Sequence, residues 1–195
     1  MRIVVLDGQG GGIGRALIAA IAAGLPAGVE LCAVGTNAMA TAAMIKAGAH
    51  RGATGENAVR WAAANADVLV APIALVLKDS MMGEVTGDMA ACVGASRAAR
   101  ILVPTERCGT HVAGAHGASM QSLIDDAARE ALRLVTVKRA LVRPQTQRAR
   151  PPTPRPRPGP ASPRRARRRR ACRSAPSARA REAPGSRPRT RPSRP

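Results

Sequence analysis

An apolar, β-branched run at residues 3–6 ends at Asp7, and five of the next seven positions are glycine before an Ala-rich helical pattern begins. A strand that hands over to a glycine loop and then to a helix constrains the fold of this chain more than any other feature. Glycines let backbone N–H groups approach an anion closely, and the positive end of the following helix favours negative charge. The expected ligand is therefore small and phosphorylated. Its expected contacts are Asp7, Gly8, Gly10, Gly11, Gly12, Ile13 and Gly14.

Charge and proline divide the chain near residue 138. Residues 1–137 carry 11 Lys and Arg against 11 Asp and Glu, whereas residues 138–195 carry 20 against the single Glu182, which is the whole net charge of +19. Of the 16 prolines, only Pro26, Pro72 and Pro104 precede the divide. A neutral stretch of 137 residues suits one domain with a single core. After Val142 there is no Val, Ile, Leu, Met or aromatic residue, so nothing in the tail offsets chain entropy and disorder is expected over 138–195.

The neutral part alternates strands and helices. Strands are expected at 2–6, 29–34, 67–71 and 100–103, with a weak fifth at 110–113. Helices are expected at 13–23, at 37–47 with Thr36 or Asn37 as cap, at 56–65 with Thr54 as cap, and at 120–134. A further helical region lies between 73 and 95, broken near Gly83 or Gly87. This order implies a Rossmann-like α/β fold, an open parallel sheet with helices on both faces. Such sheets bind ligands outside the carboxyl ends of their strands, where the strand order reverses. The loops at those ends form one expected crevice, which adds Gly35, Thr36, Asn37 and Pro72 to the site.

The glycine spacing narrows the ligand only partly. Ile13 stands where a GxGxxG loop beginning at Gly8 would need its third glycine, but Gly8, Gly12 and Gly14 fit GxxxGxG. That stretch resembles the nucleotide loop of the short-chain dehydrogenases. Those enzymes use a catalytic tyrosine, and this chain has none, so their chemistry is not expected. The acidic residue that would hold a ribose after the second strand is replaced by Gly35-Thr36-Asn37. NADP, NAD and a mononucleotide all stay open as ligands. A P-loop is not expected, because Gly14-Arg15-Ala16 lacks the lysine and hydroxyl of its GK[ST] ending.

A wider resemblance rests on five phrases: DGQGGGIG at 7–14, GTNAMATAAMIKAGA at 35–49, GATGENA at 52–58, PIALVLKDSMMGEVT at 72–86 and ILVPTERC at 101–108. They resemble an uncharacterised bacterial family of Clostridia-type anaerobes classed as a domain of unknown function. The resemblance spans residues 1–134 and implies a small Rossmann-like cytoplasmic protein, with no activity to carry over. The tail departs from it. Arg, Pro, Ala, Ser, Thr and Gly have GC-rich codons, so a frameshift near residues 134–142 of a GC-rich gene would produce such a tail. An intact mass from the native organism matching all 195 residues would rule that out. The alternative is a basic arm on RNA, DNA or anionic lipid, binding nucleic acid weakly, non-specifically and in a salt-dependent way. No aromatic residue is interleaved for base stacking.

Few side chains suit chemistry. Cys108 is the best placed, with Arg107 beside it to lower its pKa and His111 three residues on to take its proton. Glu106 is a candidate acid or base, as are Glu56, Asp79 and Glu84. The competing reading makes the thiol buried and inert and the carboxylates surface groups. Two classes stay open: a non-catalytic or regulatory nucleotide binder, and a small enzyme, an NADP-type oxidoreductase or one acting on a nucleotide or phosphometabolite, working through residues 106–111. The histidines show no metal-ligand spacing, so no structural metal is expected. The four cysteines lack CxxC or secreted spacing, as in a reducing cytoplasm. The apolar run at 68–77 is too short for a membrane span. Self-association into a homo-oligomer is compatible with a domain of this size, with no interface legible. Met39, Met44, Met81, Met82 and Met89 are expected to fill a core without Phe or Tyr, and Trp61 to pack a helix on the sheet.

Overall fold

Five short segments pair side by side in the computed structural model, which describes residues 1–105, 110–115 and 117–142. They are β1 (Arg2–Asp7), β2 (Glu30–Gly35), β3 (Arg51–Thr54), β4 (Val68–Pro72) and β5 (Ala99–Val103). All pairings are parallel and the order is β3-β2-β1-β4-β5. The helices are α1 (Gly12–Ala22), α2 (Ala38–Lys46), α3 (Glu56–Asn65), α4 (Gly87–Ala95) and α5 (Met120–Val142), with a 3-10 turn at Ile73–Val76. This is the Rossmann-like arrangement read from the sequence.

Successive strand residues face opposite sides of the sheet. Ile3, Val5, Leu31, Val68 and Val70 accordingly bury on the side covered by α1 and α5, and Val4, Leu6, Val34, Leu69 and Ala71 on the side of α3 and α4. Burial on both faces is why these strands read as unbroken apolar runs. α1 adds Leu17, Ile18 and Ile21 at helical spacing. Each such side chain, fully buried, stabilises the fold by roughly 1.5–3 kcal/mol. The chain winds from β1 outward through β2 to β3 and then returns to β4 on the other flank of β1. The strand order therefore reverses between β1 and β4, where the glycine loop and Pro72 stand.

Several expectations are corrected. Residues 110–113 are irregular and turn; the fifth strand is β3, at the opposite edge. Its sequence, Arg-Gly-Ala-Thr, is short and wholly exposed, so it carries no apolar pattern. The expected break near Gly83 or Gly87 is present but wider, over residues 77–86: Asp79, Met81, Met82 and Gly83 all have positive φ, and α4 begins only after its Thr86 cap, whose hydroxyl accepts from Met89 N–H. Asn37 caps α2, but the cap position of α3 is Gly55, while the Thr54 and Thr41 hydroxyls share a hydrogen bond. Trp61 is 51% exposed and stacks on the Arg2 guanidinium, 4.8 Å from its ring. Met44 and Met89 are buried, Met81 is half-buried, and Met39 and Met82 lie in the open.

Helix α5 runs past its expected end at 134 and past the charge boundary at 138. Lys138 Nζ pairs with Asp67 Oδ1 at 2.9 Å, and Arg139 donates to the Ala27 carbonyl at 2.6 Å. Burial works against the charge on Asp67, but Lys138 and the Arg2 N–H prevail and hold its carboxyl below the usual range. A chain ending at residue 137 is expected to lose this clasp, about 1 kcal/mol for a half-exposed pair, and to melt a few degrees below a chain ending at 142. Equal melting temperatures would show that the clasp contributes nothing. Residues 143–195, on which the readings of disorder, frameshift and nucleic-acid binding bear, lie outside the described residues.

Candidate functional site

The loop after β1 is organised by its own aspartate. Asp7, 3% exposed, accepts from the Gly8 N–H through Oδ1 at 2.8 Å and from the Gly14 N–H through Oδ2 at 2.6 Å. Burial pushes its carboxyl up from the ordinary value, and the Gly14 and Gly8 N–H groups pull it back. The carboxylate thus caps α1 from inside the loop, a role the helix needs because its cap residue, Gly11, has no side chain to offer.

The five glycines, alike in the sequence, divide by role. A Cβ on Gly8 would lie 2.5 Å from Met81 Sδ, one on Gly11 2.7 Å from Ala40 Cα, and one on Gly14 2.6 Å from Met44 Sδ. Gly11 also has φ +69, a conformation that disfavours any side chain. These three serve the protein's own packing. At Gly10 and Gly12 a Cβ would meet nothing within 4 Å, and neither has a positive φ. The N–H groups follow the same division. Those of Gly8 and Gly14 go to Asp7, that of Gln9 to Glu84 at 2.8 Å, and that of Gly11 to the Gly8 carbonyl at 3.0 Å. Among the described residues, the N–H groups of Gly10 and Gly12 meet no acceptor.

These two glycines open onto a cavity of about 1090 Å³ at the point where strand order reverses, just above the roughly 300–1,000 Å³ of small-molecule sites. The lining is formed by the loop together with Pro72, Ala74, residues 77–82, Thr105, Thr110, Met120 and Ile124. The structure brings Asp7, Gly8, Gly10, Gly11, Gly12, Ile13 and Pro72 together here. Gly14, Gly35, Thr36 and Asn37 lie off the cavity. A Cβ on Gly35 would come 2.7 Å from the Thr41 N, while the Thr36 hydroxyl and Asn37 amide donate to Glu84 Oε2 at 2.6 and 3.0 Å. Glu84 is held from three sides; burial opposes its charge, but the bonds from Thr36, Gln9 and Asn37 keep its carboxyl below the usual range.

Of the 77–82 wall, sequence reasoning singled out only Asp79 for chemistry, as a candidate acid or base, since nothing in the periodicity of this stretch marks a lining role. Glu106 and Cys108 lie outside the described residues. His111 is exposed and off the cavity, although Thr105 and Thr110 line it. Among the described residues, no group of three His, Cys, Asp or Glu side chains could hold a metal ion, and no helix is long and apolar enough to cross a membrane.

Fold and site together define a Rossmann-like α/β protein with a cavity at its glycine loop. The chain belongs to the family described as Domain of unknown function (DUF3842), whose model matches residues 2–136. No curated protein matches it at a significant level. Among solved structures it is similar to a dodecameric FMN-dependent UbiX-like decarboxylase from Escherichia coli O157:H7, at 17% identity and a TM-score of 0.41, over 70% of this chain and 95% of that one.

Proposed function

We propose that this protein is a non-catalytic binder of a nucleotide or another phosphorylated small molecule, acting in the cytoplasm, with the ligand's phosphate at Gly10 and Gly12. The observation that carries the reading is the coincidence at those two residues: space for an approaching ligand and an N–H group without an acceptor among the described residues, both at the N-terminus of α1. Among the described residues no neighbour demands glycine at either position, whereas close approach of a phosphate does. Leu77, Met82, Met120 and Ile124 offer apolar surface to the body of the ligand.

The test is thermal unfolding of the full chain against NAD, NADP, FAD, FMN, AMP, ATP, GTP, CoA and sugar phosphates. A ligand at 100 times its dissociation constant adds about 2.7 kcal/mol, a shift of several degrees. A flat panel from a folded protein would overturn the proposal.

A second reading, a small enzyme, is favoured by the presence of Thr105 and Thr110, which flank residues 106–109, in the cavity wall. Replacing Cys108 and Glu106 separates the two. A binder keeps its affinity and has no turnover to lose, whereas an enzyme loses turnover on a responding ligand with affinity retained.

A further inference from the structure

We infer that Glu84 closes the second-strand side of this site, so that it accepts a mononucleotide and rejects dinucleotides. The inference rests on the phosphate-binding reading above and narrows its ligand. A dinucleotide laid across the point where strand order reverses needs both arms of the crevice, with its phosphates at the glycine loop, one nucleoside towards the end of β2 and the other on the β4 side.

Here the β2 arm is occupied by the protein itself. One carboxylate oxygen of Glu84 accepts from the Gln9 N–H at 2.8 Å, the Thr36 hydroxyl at 2.6 Å and the Asn37 amide at 3.0 Å. The same Asn37 amide also donates to the Gln9 carbonyl at 2.8 Å, tying the two loops together. The donors that a second ribose or phosphate would use beside β2 are committed to an internal anion. A ligand entering there must displace a carboxylate held by three hydrogen bonds, and a second phosphate would also face its negative charge.

The segment that delivers Glu84 is built to stay in place. Asp79, Met81 and Met82 have φ of 62, 55 and 61, so the segment turns sharply without helical backbone. The Asp79 N–H donates to the Val85 carbonyl at 2.8 Å, and the Ser80 hydroxyl to the Ala74 carbonyl at 2.6 Å. The cavity itself lies towards Pro72 and Thr105, and none of Gly35, Thr36, Asn37 or Glu84 lines it.

The experiment is calorimetric titration of the full chain with AMP and FMN, and with the dinucleotides that contain them, NAD and FAD. At least one mononucleotide is expected to bind, with its dinucleotide weaker by roughly tenfold or more, and Glu84→Ala is expected to narrow that gap by a similar factor. A dinucleotide that binds the wild type as tightly as its mononucleotide overturns the inference and leaves the phosphate-site reading standing. Binding of none of the four overturns the inference, while the wider panel, with its sugar phosphates and CoA, decides the reading separately. A gap left unchanged in folded Glu84→Ala overturns the role of Glu84, and Glu84→Gln, which removes the charge, is titrated in its place if Glu84→Ala does not fold.

Discussion

Gly12→Val is expected to leave the protein folded and to remove most of its affinity for the phosphorylated ligand, whereas Gly11→Ala is expected to damage the fold. The contrast follows from what surrounds each residue. At Gly12 an added Cβ meets none of the surrounding described protein within 4 Å, and the residue lines the cavity proposed for the phosphate. Forcing methyl groups into an occupied site costs roughly 1–3 kcal/mol, about fivefold to 150-fold in affinity. Gly12→Ala is the sharper control, because a helical glycine replaced by alanine gains about 0.5–1 kcal/mol of stability, so affinity and melting temperature move in opposite directions. At Gly11 the left-handed backbone alone penalises alanine by about 1–2 kcal/mol, and the Cβ would also press on the Ala40 backbone at 2.7 Å. Thermal unfolding and ligand titration of the three variants read both quantities. Unchanged affinity in Gly12→Val would show that the phosphate does not sit at this turn.

The sheet was legible in the sequence because its strands are buried on both faces and so announce themselves as apolar runs. The handover from β1 to α1 was legible because a glycine loop is a local signal. β3 was not, since an exposed four-residue edge strand made of Arg51, Gly52, Ala53 and Thr54 is specified by pairing with β2 and by no apolar pattern of its own. Glycine spacing located the site but could not sort its members. Of Gly8, Gly12 and Gly14, which match a nucleotide-loop pattern, only Gly12 faces open space, and the demands on Gly8 and Gly14 come from Met81 and Met44, far along the chain. The same holds for Thr36 and Asn37, which sit where a ribose contact belongs and are engaged by Glu84 instead. Pairings of that range leave no trace in local periodicity.

Asp7→Ala is expected to be the most destabilising single change in the loop. It would strip the acceptor from the Gly8 and Gly14 N–H groups, both buried with it, and each unsatisfied donor costs about 1–3 kcal/mol. Relief of a buried charge offsets part of that, so a net loss of about 2–4 kcal/mol is expected in urea unfolding at neutral pH. Asp7→Asn should rescue only partly, because its amide NH2 would face one of the two N–H donors. The pH dependence has a definite sign. Burial raises the Asp7 carboxyl above its unfolded value of 3.8, so the folded state holds its proton more tightly than the unfolded chain does. The stability this contributes is fully present below 3.8 and is lost as pH rises through the elevated folded value. The advantage of the wild type over Asp7→Asn should therefore be largest at acid pH and shrink towards neutrality. A gap that widened with rising pH would mean that the N–H groups of Gly8 and Gly14 outweigh burial, and that Asp7 holds the loop chiefly as a stabilised anion.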